Sequence, residues 1–268
     1  MRTAVVGHVD FVEFLRVPRV PEVGEIVQAE DAWGEAGGGG GVASVRLREL
    51  SGDTTFFTAL GADPFGREAE RQLREHGVRV VVDWYEAPQR RAFCYLDDEG
   101  ERTITLLSPK LRPRRSAPLP WHELAGVDGV YFTGGDPDAL RAARAARVLV
   151  ATPRELPTLR AAGVELDALV GSATDPSETY EDGDLDPPPK LVVWTEGSAG
   201  GHYAPGAGRW SAPELPGARL DTYGAGDTFA AALTFALAQG SGPQKAVELA
   251  ARAAAAQVTR RAGHGTHA

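Results

Sequence analysis

"DTYGAGDTFAAALTFALA" (residues 221–238) is the stretch on which the reading of this chain turns. It opens with a glycine-broken turn carrying two aspartates, Asp221 and Asp227, and runs straight into an alanine-rich apolar helix. Gly224 and Gly226 can take backbone angles closed to other residues, so the N–H groups around Ala225 can converge on one anion where the helix begins. Taken alone, Asp227 reads as a helix cap. Beside an anion site it has a stronger reading. A carboxylate repels a bound phosphate, so a loop built only to hold anions would avoid one. A phosphoryl-transfer site uses both groups: amides steady the transferring group and the carboxylate takes a proton from the attacking hydroxyl.

The rest of the chain sets bounds on that reading. Its 268 residues, 43% hydrophobic, suffice for one large α/β domain or two small ones, and one domain with an appendage is expected. A net charge of -9 argues against general polyanion binding, so nucleic acid is not an expected partner. One cysteine, Cys94, allows no intrachain disulfide. "MRTAVVGHVDF" has neither the basic start nor the apolar run of a secretory signal, and the expected compartment is the cytoplasm. The longest strongly apolar segment, Phe229 to Ala238, is too short for a bilayer, so no membrane partner is expected.

Apolar runs alternate with helical patterns. "TAVVGHVDF" reads as a buried first strand, "GVASVRLREL" (41–50) as a helix with Val42, Val45 and Leu50 on one side, "TTFFTALG" as a strand, and "FGREAERQLREHG" as a surface helix closed by Gly77. "GVYFTGG", "RVLVATP", "DALVGSA" and "KLVVWTEG" are short apolar runs ending in small or turn-forming residues, the pattern of parallel strands that deliver loops to one sheet edge. Residues 10–35 and the hairpin of 92–107, with Asp97, Asp98 and Gly100 at its turn, lack intervening helices and predict a small sheet serving as a lid. "PKLRPRRSAPLPW" and "DLDPPPK" read as connections. The five-glycine run at 37–41 has a flexible linker as its bland reading, but it is too short and too flanked by structure to divide domains.

The opening stretch resembles the C-terminal signature of PfkB-type, ribokinase-like carbohydrate kinases, D-T-x-G-A-G-D. The resemblance extends in order along nearly the whole chain: "GHVDF", "PEVGEIVQA", "GGGGGVASVRLREL", "LGADPFGREAERQLREHGV", "DDEGERTI", "VVWTEGSAGG" and "ARAAAAQVTRRAG". It implies a single Rossmann-like α/β domain over residues 1–268, with a mostly parallel sheet and a β lid, that moves the γ-phosphoryl of ATP, with Mg2+, to a hydroxyl. The acceptor it implies is a sugar, a nucleoside or a sugar phosphate, often through a primary CH2OH. By position, Asp227 is then the base, with Gly224, Ala225 and Gly226 as the anion hole. Asp221 and Thr222 shape the loop, near which the family can hold a monovalent cation such as K+. Thr195 and Gly197 match a nucleotide-contacting turn, and Asp10, Gly37 and Gly38 face the acceptor. Family lids often pair between subunits, which implies a homodimer. It leaves open whether Phe11, Phe14 and Trp33 meet a second copy or close over the protein's own pocket.

The chain departs from the family pattern in places. The N-x-x-E element tied to magnesium appears as "DPSE", with Asp175 and Glu178 as the metal candidates through water; a structural turn before Pro176 is the competing reading. Val42 replaces an asparagine that binds sugar hydroxyls. Arg252 stands where many relatives have a nucleotide-side asparagine. Arg90 and Arg91 suit a phosphorylated acceptor, but read more simply as solvated surface charge. The six histidines, among them His202, His264 and His267, lack metal-ligand spacing and read as loop or surface residues. No G-x-G-x-x-G or G-x-x-x-x-G-K-[ST] occurs. A non-catalytic nucleotide or sugar binder on the same fold stays open beside the active kinase.

Overall fold

The structure is a computed structural model that describes residues 1–98 and 101–261. Its framework is a run of strands whose side chains are buried on both faces. β1 (Arg2–His8) is buried from Thr3 onward, and β8 (Gly129–Phe132) and β9 (Val148–Ala151) are buried throughout. Such runs read as continuously apolar because helices cover both faces. β4 (Asp53–Gly61) and β5 (Arg79–Tyr85) lie to one side of β1. β8, β9, β10 (Ala168–Ser172) and β11 (Val192–Thr195) lie to the other, all parallel. A hairpin of β12 (Gly201–Ala204) and β13 (Gly208–Trp210) adds two antiparallel strands at the far edge.

Alternation along β1 divides the core. Val5 joins Leu47, Phe56, Phe229 and Leu233 beneath α1 (Gly38–Ser51), α2 (Pro64–Glu75), α5 (Ala225–Ala238) and α6 (Pro243–Gln257). Ala4 and Val6 face Phe57, Phe132 and Leu149 beneath α3 (Pro137–Ala143) and α4 (Leu156–Ala162), where Phe57 stacks on Trp121 at 5.2 Å. α2 follows its sequence cues closely: Asp63 accepts from the Gly66 N–H, Pro64 occupies the first turn, Ala69 and Leu73 are buried, and Gly77 follows with φ +78°.

The glycine run is no linker. Gly37 ends a strand and Gly38 to Gly41 form the first turn of α1. A Cβ on Gly40 would lie 2.5 Å from the His8 carbonyl oxygen and 2.6 Å from the Phe56 ring, so glycine lets the helix approach β1 this closely. Tertiary contact overrides the poor helix propensity of glycine here.

A second sheet stands over this edge, in the order β3 (Asp31–Gly37), β2 (Asp10–Arg16), β6 (Arg91–Leu96), β7 (Arg102–Leu106), with β2 and β6 parallel and both outer pairs antiparallel. Phe14 stacks on Trp33 at 5.2 Å and meets the Tyr223 ring edge-on at 5.0 Å. With Val12, Val42 and Cys94 they form a small core between lid and body. Phe14 is fully buried there, a contribution of roughly 1.5–3 kcal/mol. Phe11 is buried too, with its ring 5.3 Å from that of Phe65 on α2, so these aromatics pack against the chain itself. Burial pushes the Cys94 thiol up to about 12. No helix among the described residues is long and apolar enough to cross a membrane. Gly100, His264 and His267 lie outside the described residues.

Candidate active site

Neighbouring strands of a parallel sheet whose connections run in opposite directions leave a crevice at their C-terminal ends. Here that point lies between β1 and β8, and His8 and Thr133 stand at the two strand ends. The His8 Nδ1 lies 3.2 Å from the Thr133 carbonyl oxygen. Burial, aided by the charges of Lys110 and Arg90, holds the imidazole well below its ordinary value, so His8 is neutral near pH 7.

The starts of α1 and α5 both enter this crevice. Gly224 takes φ +74° with Val42 packed 2.9 Å from where its Cβ would be, and the Thr228 N–H donates to the Gly224 carbonyl oxygen at 2.8 Å. The Ala225 N–H reaches the Thr222 carbonyl oxygen at 3.4 Å. Gly226 and Asp227 follow in the first turn, where helix geometry supplies no intrahelical acceptor. Nothing lies within 4 Å of a Cβ position on Gly226, so the helix start is open on that side.

Asp227 is half-buried, and its Oδ1 lies 3.0 Å from the Cβ position of Gly39, beside Thr133 Oγ1 and the His8 ring. The Asp10 Oδ2 lies 3.1 Å from the Cβ position of Gly38, whose φ is +75°. The two carboxylates therefore flank consecutive glycines. Burial first, and the Glu178 charge second, raise Asp227 from 3.8 to about 6, against the opposing effects of Arg102, Arg154 and Lys110. That suits a group which must take and release a proton near neutrality.

The turn before α5 is held from several sides. Asp221 is buried, and its Oδ1 accepts from the Tyr223 N–H at 2.6 Å. The Tyr223 hydroxyl accepts from the Gly38 N–H at 2.8 Å, and a Cβ on Gly37 would strike that hydroxyl. Arg102 on β7 donates to the Thr222 carbonyl oxygen, and Arg219 pairs with Glu101 at 2.6 Å, so the lid is tied to the same turn. The cavity beside Asp221 also carries Arg16 and Arg261, two guanidinium groups that work against a monovalent cation there.

Sequence reasoning missed the charges around this centre. Arg90 is not surface charge. It is buried, with Nε 3.1 Å from Asp10 Oδ1, whereas Arg91 is half-buried on Glu13 at 2.8 Å. Lys110 and Arg112, from the proline-rich connection, converge on buried Glu155 at 3.0 and 3.2 Å. Arg154 donates to Glu178 Oε1 at 2.6 Å, to Ser177 Oγ at 2.8 Å and to Asp175 Oδ2. The remaining oxygens of these carboxylates accept from Ser172 N–H at 2.6 Å and Ser177 N–H at 2.9 Å. Asp175 and Glu178 thus close on a guanidinium, and Asp175 also caps the turn at Pro176. Among the described residues no group of three or more His, Cys, Asp or Glu side chains could hold a metal. As these side chains stand, they do not fit direct magnesium ligation.

Thr195 ends β11, and Gly197 opens the short helical turn after it, at φ +58° with open space where a Cβ would lie. The next strand carries His202, which is not a loop residue: it stacks on Trp194 and pairs with Glu196 at 2.7 Å. Arg252 is exposed on α6.

A profile of the pfkB family carbohydrate kinases matches residues 2–155 and 158–266. The chain belongs to this PfkB family. The fructokinase of Klebsiella pneumoniae is 26% identical over 261 residues, covering 82% of this chain and 83% of that protein. The ribokinase of Bacillus subtilis is 44% identical over 71 residues, 26% of this chain and 24% of its own length. The match to the fructokinase of Vibrio alginolyticus likewise spans 24% of that protein, at 36% identity and 26% of this chain. Solved structures share the PfkB fold. Ribokinase from Thermotoga maritima superposes with a TM-score of 0.75 at 20% identity, covering 98% of this chain and 94% of that one. Arabidopsis thaliana ribokinase complexed with ribose and ATP gives 0.71 at 22%, over 96% and 92%.

Proposed function

We propose that the protein is an ATP-dependent kinase that phosphorylates a hydroxyl of a sugar-like small molecule, with Asp227 as the general base. One observation carries this reading: the Asp227 carboxylate lies beside the open first turn of α5 and against Gly39, His8 and Thr133 at the sheet's switch point. When bound, ATP supplies the phosphoryl group and leaves as ADP. Asp227 accepts the hydroxyl proton as the new P–O bond forms, and the N–H groups of Gly226 and Asp227 donate to the phosphoryl oxygens. Thr195 and Gly197 border the nucleotide, and Asp10 and Gly38 border the acceptor. No step is assigned to magnesium, because Asp175 and Glu178 serve to fix Arg154.

Retention of Asp227 in this geometry favours an enzyme over a silent binder. The test mixes purified protein with ATP, magnesium and a panel of sugars, sugar acids, sugar phosphates and nucleosides. Acceptor-dependent release of ADP supports the reading. ADP release that never responds to any acceptor, from protein that binds ATP, refutes it.

A further inference from the structure

In the kinase reading, on which this inference rests, the peptide units entering α5 must hold their N–H groups towards the phosphoryl group. A trans peptide is planar, so each N–H points opposite to the carbonyl before it. Whatever grips the carbonyl oxygens of this turn from behind therefore aims its amides in front.

Two side chains supply that grip. Gln257, the last residue of α6, is buried, and its Nε2 donates to the Tyr223 carbonyl oxygen at 3.1 Å, which sets the direction of the Gly224 N–H. Arg102, on β7 of the lid, donates to the Thr222 carbonyl oxygen, which the Ala225 N–H reaches only at 3.4 Å. The rest of the turn is closed by its own chain. The Leu220 and Asp221 N–H groups donate to the Val258 carbonyl oxygen at 2.9 and 3.2 Å, and the Asp221 carboxylate accepts from the Tyr223 N–H at 2.6 Å. Glu101, next to Arg102, pairs with Arg219 at 2.6 Å just ahead of the turn.

The space behind the turn is cationic. A cavity of about 360 Å³ opens there between Arg16, Leu96, Leu220, Asp221 and Arg261. Asp31 pairs with Arg261 and Glu101 with Arg219, which leaves one carboxylate, Asp221, beside two guanidinium groups, Arg16 and Arg102. A cation such as K+ binds by gathering carbonyl oxygens around itself. Here the oxygens of Thr222 and Tyr223 are turned to N–H donors, and the guanidinium charges repel a further cation.

We propose that Gln257 and Arg102 are positioning residues that take the place of a bound monovalent cation: they hold the turn by its carbonyl oxygens, and the protein works independently of K+. This departs from the K+ that the family resemblance implies. Because one of the two donors belongs to the lid, the turn reaches its working shape only with the lid in place.

The test begins with the unaltered protein in KCl, NaCl and tetramethylammonium chloride at one ionic strength and constant magnesium. Melting temperature, hydrogen exchange over residues 221–228 and ADP release with the acceptor panel are measured in each salt. All three are expected to agree across the salts, with rates within about twofold, since a cation bound to the native state would stabilise it. Gln257→Glu removes the N–H donor and sets a carboxylate against the Tyr223 carbonyl, an arrangement that a cation bridges. Its turn is expected to exchange faster and its kcat to fall ~10²-fold in tetramethylammonium, with K+ restoring about tenfold of that loss. Arg102 is exposed, so Arg102→Met spares the core. It is expected to lower kcat about tenfold while KM for the acceptor stays within about twofold, and Arg102→Lys is expected to recover part of the loss. A rise of more than about threefold in rate on adding K+ to the unaltered protein, or a melting temperature several degrees higher in K+, would overturn the inference. So would full kcat and unchanged exchange in Arg102→Met. If no compound gives ADP release, the kinase reading falls, and melting and exchange in the three salts still decide the cation question.

Discussion

Asp227→Asn tests catalysis and stability at once, in opposite directions. In the folded protein the Asp227 carboxyl titrates near about 6, against 3.8 in its ordinary state, with burial the main cause and Glu178 the next. The folded state therefore holds this proton more tightly than the unfolded chain. Stability is lost as pH rises from 3.8 towards about 6, and the whole cost is present above that. About two pH units at 1.36 kcal/mol each amount to about 3 kcal/mol at most. An asparagine of the same shape carries no charge, so at pH 8 the variant is expected to melt several degrees higher than the parent. The gain is expected to shrink towards pH 4, where both side chains are neutral. With the proton acceptor gone, kcat is expected to fall by ~10²–10⁴. Calorimetric melting across pH, with single-turnover phosphoryl transfer, measures both. An undiminished rate would remove Asp227 from the chemistry, and an unchanged melting temperature at pH 8 would refute the argument that a half-buried ionised carboxylate is what the site maintains.

Three further predictions follow from the same geometry. In the unaltered protein, kcat/KM is expected to drop about tenfold from pH 7 to pH 5, since a base titrating at about 6 passes from mostly ionised to mostly protonated. An ordinary aspartate would leave the profile flat over that range, and stopped assays at constant ionic strength distinguish the two. Gly40→Ala would push a methyl group against the His8 carbonyl and the Phe56 ring and should cost about 1–3 kcal/mol in urea unfolding. Gly226→Ala meets no protein atom within 4 Å, so its stability should stay within about 0.5 kcal/mol while the methyl intrudes on the anion space and lowers kcat/KM for ATP about tenfold.

The parts of the fold that could be read from the chain are those set by local chemistry. α2 is written in Asp63, Pro64, Leu73 and Gly77, all within one short stretch. The parallel strands show because burial on both faces demands continuous apolar runs. Asp227, Gly224 and Gly226 were legible as a candidate site because the turn, the helix start and the carboxylate are contiguous. The β12–β13 hairpin was missed, since "GHYA" and "GRW" are short and only partly buried. Arg90, Lys110, Arg154 and Glu155 were beyond local reading for another reason: what each touches is set by strand order. Arg90 meets a residue 80 positions earlier, and Lys110 one 45 positions later. A lone arginine before a lid strand gives no sign of which carboxylate it will face. The glycine run carries no local sign that its lack of side chains serves close helix approach, because the atoms it makes room for, the His8 carbonyl and the Phe56 ring, are distant in sequence.

Arg154 and Glu155 are adjacent in the chain and opposite in sign, and each gathers its own cluster. The arginine draws in Asp175, Ser177 and Glu178, while the glutamate draws in Lys110 and Arg112. One peptide link thus serves as the hinge pin between two electrically contrary neighbourhoods. A single-residue insertion after Pro153 would send both anchors to the wrong partners together, so length at this corner should tolerate far less drift than composition does.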